Sequence, residues 1–97
     1  MCYNHFMSEK TRLQLRFSGR VQGVGFRYTA QYIATSYGLT GWVYNDYDGS
    51  VLMEIQGASH SIQKMIERLD SDRFIRIENI EKTVLPLVEQ ERNFNIR

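Results

Sequence analysis

The sequence predicts an α+β fold, and three observations carry that prediction. The runs "RLQLRFS" and "VLMEIQ" alternate apolar and polar residues with the period of a half-buried strand. Two other runs repeat apolar residues at helical spacing. The runs follow in the order strand, helix, strand, strand, helix, strand, with a short strand at the end. A chain of 97 residues suffices for one core and no more. With 42% hydrophobic and 24% charged residues, it reads as a packed globular domain rather than a disordered one.

The elements can be justified in order. Residues 1–10, "MCYNHFMSEK", show no useful periodicity and are expected to form a flexible extension ahead of a domain at 11–97. Cys2 and His5 fall in this extension and are expected at the surface, and Met7 is a candidate second start. In the first strand, Leu13, Leu15 and Phe17 share one face, and Arg12, Gln14 and Arg16 the other. Phe26, Ala30, Ile33, Ala34 and Tyr37 then recur at helical spacing and predict a helix over 26–37, stopped by Gly38. "GWVYN" suits a strand through its aromatic and β-branched residues. "NDYDGS" is a turn, and with "VLMEIQ" it predicts a hairpin with Asp48 and Gly49 in its connection.

Ser59 is expected to cap a second helix, whose stripe is Ile62, Met65, Ile66 and Leu69. His60, at the start of that helix, is expected in a surface or capping role. "RFIRIENIEK" is a further strand. Its pattern shifts between Ile77 and Ile80, which implies a bulge or an early end. "LPLVEQE" reads as a connection and "NFNIR" as a short last strand. This order fits a ferredoxin-like split βαβ: βαββαβ plus a short C-terminal strand, an antiparallel sheet with two helices on one face.

Composition excludes several classes. The net charge of +1 gives little general attraction to nucleic acid or to an anionic membrane. One cysteine cannot make an internal disulfide, and no cysteine–histidine cluster has zinc-site spacing. No apolar run approaches the roughly 18 residues of a spanning helix. The first residues lack a basic region followed by an apolar core, so no secretory signal is expected, and the location expected is cytoplasmic.

The stretch "SGRVQGVGFRY", Ser18 to Tyr28, holds three of the seven glycines. Gly19, Gly23 and Gly25 can adopt positive φ cheaply, so successive N–H groups can turn toward one point and form an anion nest. The following helix adds its unpaired N–H groups and the positive end of its dipole. Arg27 could reach back with a planar fork that matches two phosphate oxygens. Nucleotide motifs fit badly. No Gly-Lys-Ser/Thr run closes the loop, and Tyr28 stands where a dinucleotide fingerprint needs a small residue. On the residues alone, a tight glycine-rich connection with a solvated Arg27 is an equal alternative. Arg20 alone reads as a solvated side chain. Asn45 alone reads as a strand-ending turn residue, as do Asp46 and Asp48 after it.

Two segments resemble the acylphosphatase family. Its loop, Gly-x-Val-Gln-Gly-Val-x-Phe-Arg, is similar to "GRVQGVGFR" from Gly19 to Arg27. Its Gly-x-Val-x-Asn segment with a following turn and strand is similar to "GWVYNDYDGSV" from Gly41 to Val51. The resemblance runs from about Leu13 to Arg97 and is looser after Leu69. It implies a ferredoxin-like fold and hydrolysis of acyl phosphates to carboxylate and inorganic phosphate. By it, Arg20, Val21, Gln22, Gly23, Val24, Gly25, Phe26 and Arg27 form the phosphate-binding loop. Arg27 is the catalytic arginine, and Asn45 positions the attacking water. It implies no metal and no cofactor, and a small acyl phosphate as the partner. With a net charge of +1, no nucleic-acid or membrane partner is expected, and the chain is expected to be a monomer. Among the rivals, an acylphosphatase-like module of a larger carbamoyl-transfer protein would be expected with zinc-finger cysteines. A single-stranded RNA-binding module would place aromatics where the first strand carries Arg12, Gln14 and Arg16.

Overall fold

The computed structural model describes residues 9–97. The expectations for Cys2, His5 and Met7 lie outside the described residues. The elements are β1 (Lys10–Arg20), α1 (Phe26–Ser36), β2 (Thr40–Asn45), β3 (Val51–Ala58), α2 (Ser59–Asp70), β4 (Arg76–Leu85) and β5 (Phe94–Ile96). β1 begins at Lys10, opposite Ala58, so the sheet takes in the last residue assigned to the extension.

The strands form one sheet in the order β4-β1-β3-β2-β5. Pairings among β1, β2, β3 and β4 are antiparallel, but β5 runs parallel to β2. The sheet is therefore mixed, which corrects the antiparallel sheet expected. The reason lies in the connection. Leu85, Arg12, Gln56 and Thr40 form one row across the sheet, and β5 starts beside Gly41 in the next row. The segment from Pro86 to Asn93 thus crosses at one end of the sheet. The strand after it must run opposite to β4, which is the direction of β2.

Both helices cover the face that carries Leu15, Phe17, Val43, Met53 and Ile55. α1 contributes Phe26, Ala30, Ile33 and Ala34, and α2 contributes Ile62, Met65 and Leu69. The pattern shift in β4 is a bulge. Ser18 pairs with Asn79 but Gly19 pairs with Ile77, so Glu78 is the extra residue. It resets the alternation and lets both Ile77 and Ile80 pack against the core. Gly19 is required there, since a Cβ on it would collide with the backbone of Arg76 and Glu78.

Two local expectations change. Ser59 is the first residue of α2, and Ala58 takes the capping position without a side-chain hydrogen bond. Arg12 is only 2% exposed, although it lies on the face without helices. Its guanidinium donates to Glu54 at 2.9 Å, to Gln56 Oε1 at 3.2 Å and to Glu91 at 2.7 Å. Thr40 Oγ1 also donates to Glu91, at 2.8 Å, and Gln56 Nε2 donates to the Val88 carbonyl, at 2.9 Å. The crossing segment is thus strapped down by a buried charge on β1. Burial opposes the charges of Arg12 and Glu91. Their mutual hydrogen bonds and attraction outweigh it, raising the Arg12 pKa and lowering that of Glu91.

Candidate active site

The loop between β1 and α1 is pinned at both ends by apolar side chains. Val21 and Phe26 are buried, and the Phe26 ring lies 5.0 Å from that of Phe17. Between these anchors the backbone bows outward through Gly23 at φ 75° and Gly25 at φ 80°. At neither glycine would a Cβ meet any atom within 4 Å, so their value lies in backbone conformation and not in tight packing. Gly25 is also the capping residue of α1, with no side-chain hydrogen bond to the helix. The first bond of the helix runs from Thr29 N–H to the Gly25 carbonyl. Among the described residues, the N–H groups of residues 23–28 meet no acceptor. They lie at or just before the N-terminus of α1, where unpaired N–H groups and the positive end of the helix dipole suit an anion.

A cleft of about 130 Å³ lies here, lined by Val21, Gly23, Gly25, Phe26, Arg27, Tyr28 and Asn45. The Arg27 side chain has no hydrogen bond or ion pair to another described residue, which leaves its fork available to the cleft. Asn45 comes from a different element, the end of β2.

A second set of contacts holds Asn45 beside the loop. Gln22 Nε2 donates to the carbonyls of Asp46 and Ser50, at 2.7 and 2.8 Å, and so ties the loop to the β2–β3 turn. Arg16 Nη1 donates to Asp46 Oδ2 at 2.9 Å and to Ser50 Oγ at 2.6 Å. Asp46 Oδ1 accepts from Tyr47 N–H, and Asp48 Oδ1 accepts from the N–H and hydroxyl of Ser50. The Ser50 hydroxyl and N–H, with the Arg16 charge behind them, hold the Asp48 carboxyl below its usual range. Both aspartates are thus occupied in shaping the turn.

Of the residues assigned from sequence, Val21, Gly23, Gly25, Phe26, Arg27 and Asn45 meet at one cleft. Arg20, Gln22 and Val24 do not line it. Arg20 is exposed at the end of β1, Gln22 turns to the hairpin, and Val24 packs against the core. Tyr28 lines the cleft and was missed; its signal was its place beside Arg27 in the first turn of α1. Among the described residues no group of His, Cys, Asp or Glu could hold a metal ion. No helix among them is long and apolar enough to cross a membrane.

The class is therefore a ferredoxin-like α+β domain with an anion-suited loop at the head of its first helix. Comparison with known proteins narrows it. The acylphosphatase family model matches residues 13–96. An acylphosphatase of Rhizobium etli is 44% identical over 85 residues, covering 87% of this chain and 90% of that one. One of Clostridium acetobutylicum is 38% identical over 86 residues, covering 88% and 94%. The crystal structure of acylphosphatase from Bacillus subtilis superposes with a TM-score of 0.82 at 33% identity, covering 90% and 98%. The chain belongs to the acylphosphatase family, enzymes that hydrolyse acyl phosphates.

Proposed function

We propose that this chain hydrolyses acyl phosphates with the loop from Gly19 to Arg27 holding the phosphate and Asn45 positioning the water. One observation carries the assignment of roles: Arg27 and Asn45, from separate elements, line the same cleft as Gly23 and Gly25. Phosphoryl transfer asks mainly for positioning and for charge stabilisation on the phosphate oxygens. The free N–H groups and the Arg27 fork supply that stabilisation. The Asn45 amide has an acceptor and two donors, enough to orient a water but not to act as a base near neutral pH. The water oxygen attacks phosphorus, the bond from phosphorus to the acyl oxygen breaks, and the carboxylate leaves. A phosphate oxygen takes the proton from the water. Carboxylate is a weak base, so its departure needs no strong general acid.

In this reading the chain works as a cytoplasmic monomer on a small molecule, without cofactor, metal or nucleic-acid partner. The test is hydrolysis of benzoyl phosphate in EDTA beside the Arg27→Ala protein. Turnover that survives the chelator and falls roughly 100- to 1,000-fold in the variant is expected. Inhibition by inorganic phosphate should weaken in parallel. A loss of about tenfold or less, ~1.4 kcal/mol, would remove Arg27 from the central role.

A further inference from the structure

A cleft of about 130 Å³ accommodates a phosphate but leaves an acyl group of any size outside it. The structure offers that group one continuous surface. Tyr28 lines the cleft and also lines a neighbouring open cavity of about 360 Å³, shared with Gln31, Tyr32, Thr35 and Ser36. Tyr28 and Tyr32 are each 70% exposed, far more than an aromatic of that size needs to be. They stand four residues apart on α1, on one face, so they mark a path of about 6 Å along the helix. That is close to the length of one aromatic ring. Neither the core nor the sheet uses these two side chains, and α1 buries its opposite face through Ala30, Ile33 and Ala34.

We propose that Tyr28 and Tyr32 form an acyl subsite that favours acyl phosphates with a flat aromatic or extended apolar acyl group. The inference rests on the phosphate site assigned above. The phosphate sits at the N-terminus of α1, and the acyl group leaves along the outer face of the helix across the Tyr28 ring. No charged side chain lines this cavity. The surface therefore offers ring stacking and apolar contact, with only the neutral Gln31, Thr35 and Ser36 at its sides.

The experiment compares kcat/KM for benzoyl phosphate with that for acetyl phosphate, whose methyl group is too short to reach Tyr32. The proteins are the unmodified chain, Tyr28→Ala, Tyr32→Ala and Tyr32→Phe. Both tyrosines are largely exposed, so folding should survive, and circular dichroism checks it. The benzoyl-to-acetyl ratio should fall roughly three- to tenfold in the alanine variants, the range expected of one aromatic contact. Tyr32→Phe should restore the ratio, because the ring face and not the hydroxyl makes the contact. Inhibition by inorganic phosphate should stay unchanged in Tyr32→Ala. Hydrolysis of both substrates with an unchanged ratio in both alanine variants would overturn the subsite and leave the phosphate site standing. Failure of the folded, unmodified chain to hydrolyse either substrate would overturn both.

Discussion

Replacing Gln22 with methionine separates the role of the loop as a cradle from its role as a clamp on the hairpin. Methionine keeps the length and shape of the side chain but removes the two donors. The bonds lost are those to the Asp46 and Ser50 carbonyls, at 2.7 and 2.8 Å. At about 0.5–1.5 kcal/mol each, the pair contributes about 1–3 kcal/mol. The side chain is only partly buried, so water can reach the carbonyls and the loss should lie near the lower end. For a domain of this size, about 1 kcal/mol lowers Tm by about 4–8 °C. The kinetic effect should be larger. Asn45 immediately precedes Asp46, and releasing the turn lets the amide drift from the cleft. A displacement of about 1 Å can cost a hundredfold in rate. Thermal melts followed by circular dichroism give the first quantity, and benzoyl phosphate kinetics give the second. A lower Tm with turnover within twofold of the unmodified protein would refute the clamp. A large loss of turnover with an unchanged Tm would mean that Gln22 meets the substrate directly.

Two further outcomes follow from the same geometry. Asn45→Ala should lower turnover while inorganic phosphate still inhibits at nearly its usual concentration, and weakened phosphate inhibition with intact turnover would reverse the assigned role. The Glu91 carboxyl is held below its ordinary value of 4.5, so its stabilising effect is present above that pH and fades as the pH falls through the lowered value. Tm should therefore decline on acidification below about 4.5. Glu91→Gln should have a lower Tm at neutral pH and a flatter decline in acid, and an equal decline in both proteins would deny Glu91 this part.

Local sequence determined the elements. Leu15 and Phe17 alternate with Gln14 and Arg16, and that period of two makes a strand with one buried face. The i, i+4 and i+7 positions Phe26, Ala30 and Ile33 make a helix that packs on that face. Gly23 and Gly25 determine a left-handed bow, because other residues rarely adopt φ near 75–80°. The two segments around Arg27 and Asn45 also carried the family, before any side chain was placed.

Other features depend on what is brought together from far along the chain. Alternation is the same in parallel and antiparallel strands, so only the crossing of Pro86–Asn93 decides that β5 runs with β2. Arg12 looks like any polar residue on an open face until that crossing brings Glu91 over it. Gln22 belongs to the loop in sequence, yet its side chain bonds to the hairpin, since two carbonyls from the β2–β3 turn lie within its reach. The cleft itself has the same origin. Arg27 heads a helix and Asn45 ends a strand, and the sheet and the Gln22 and Arg16 contacts bring them to one place.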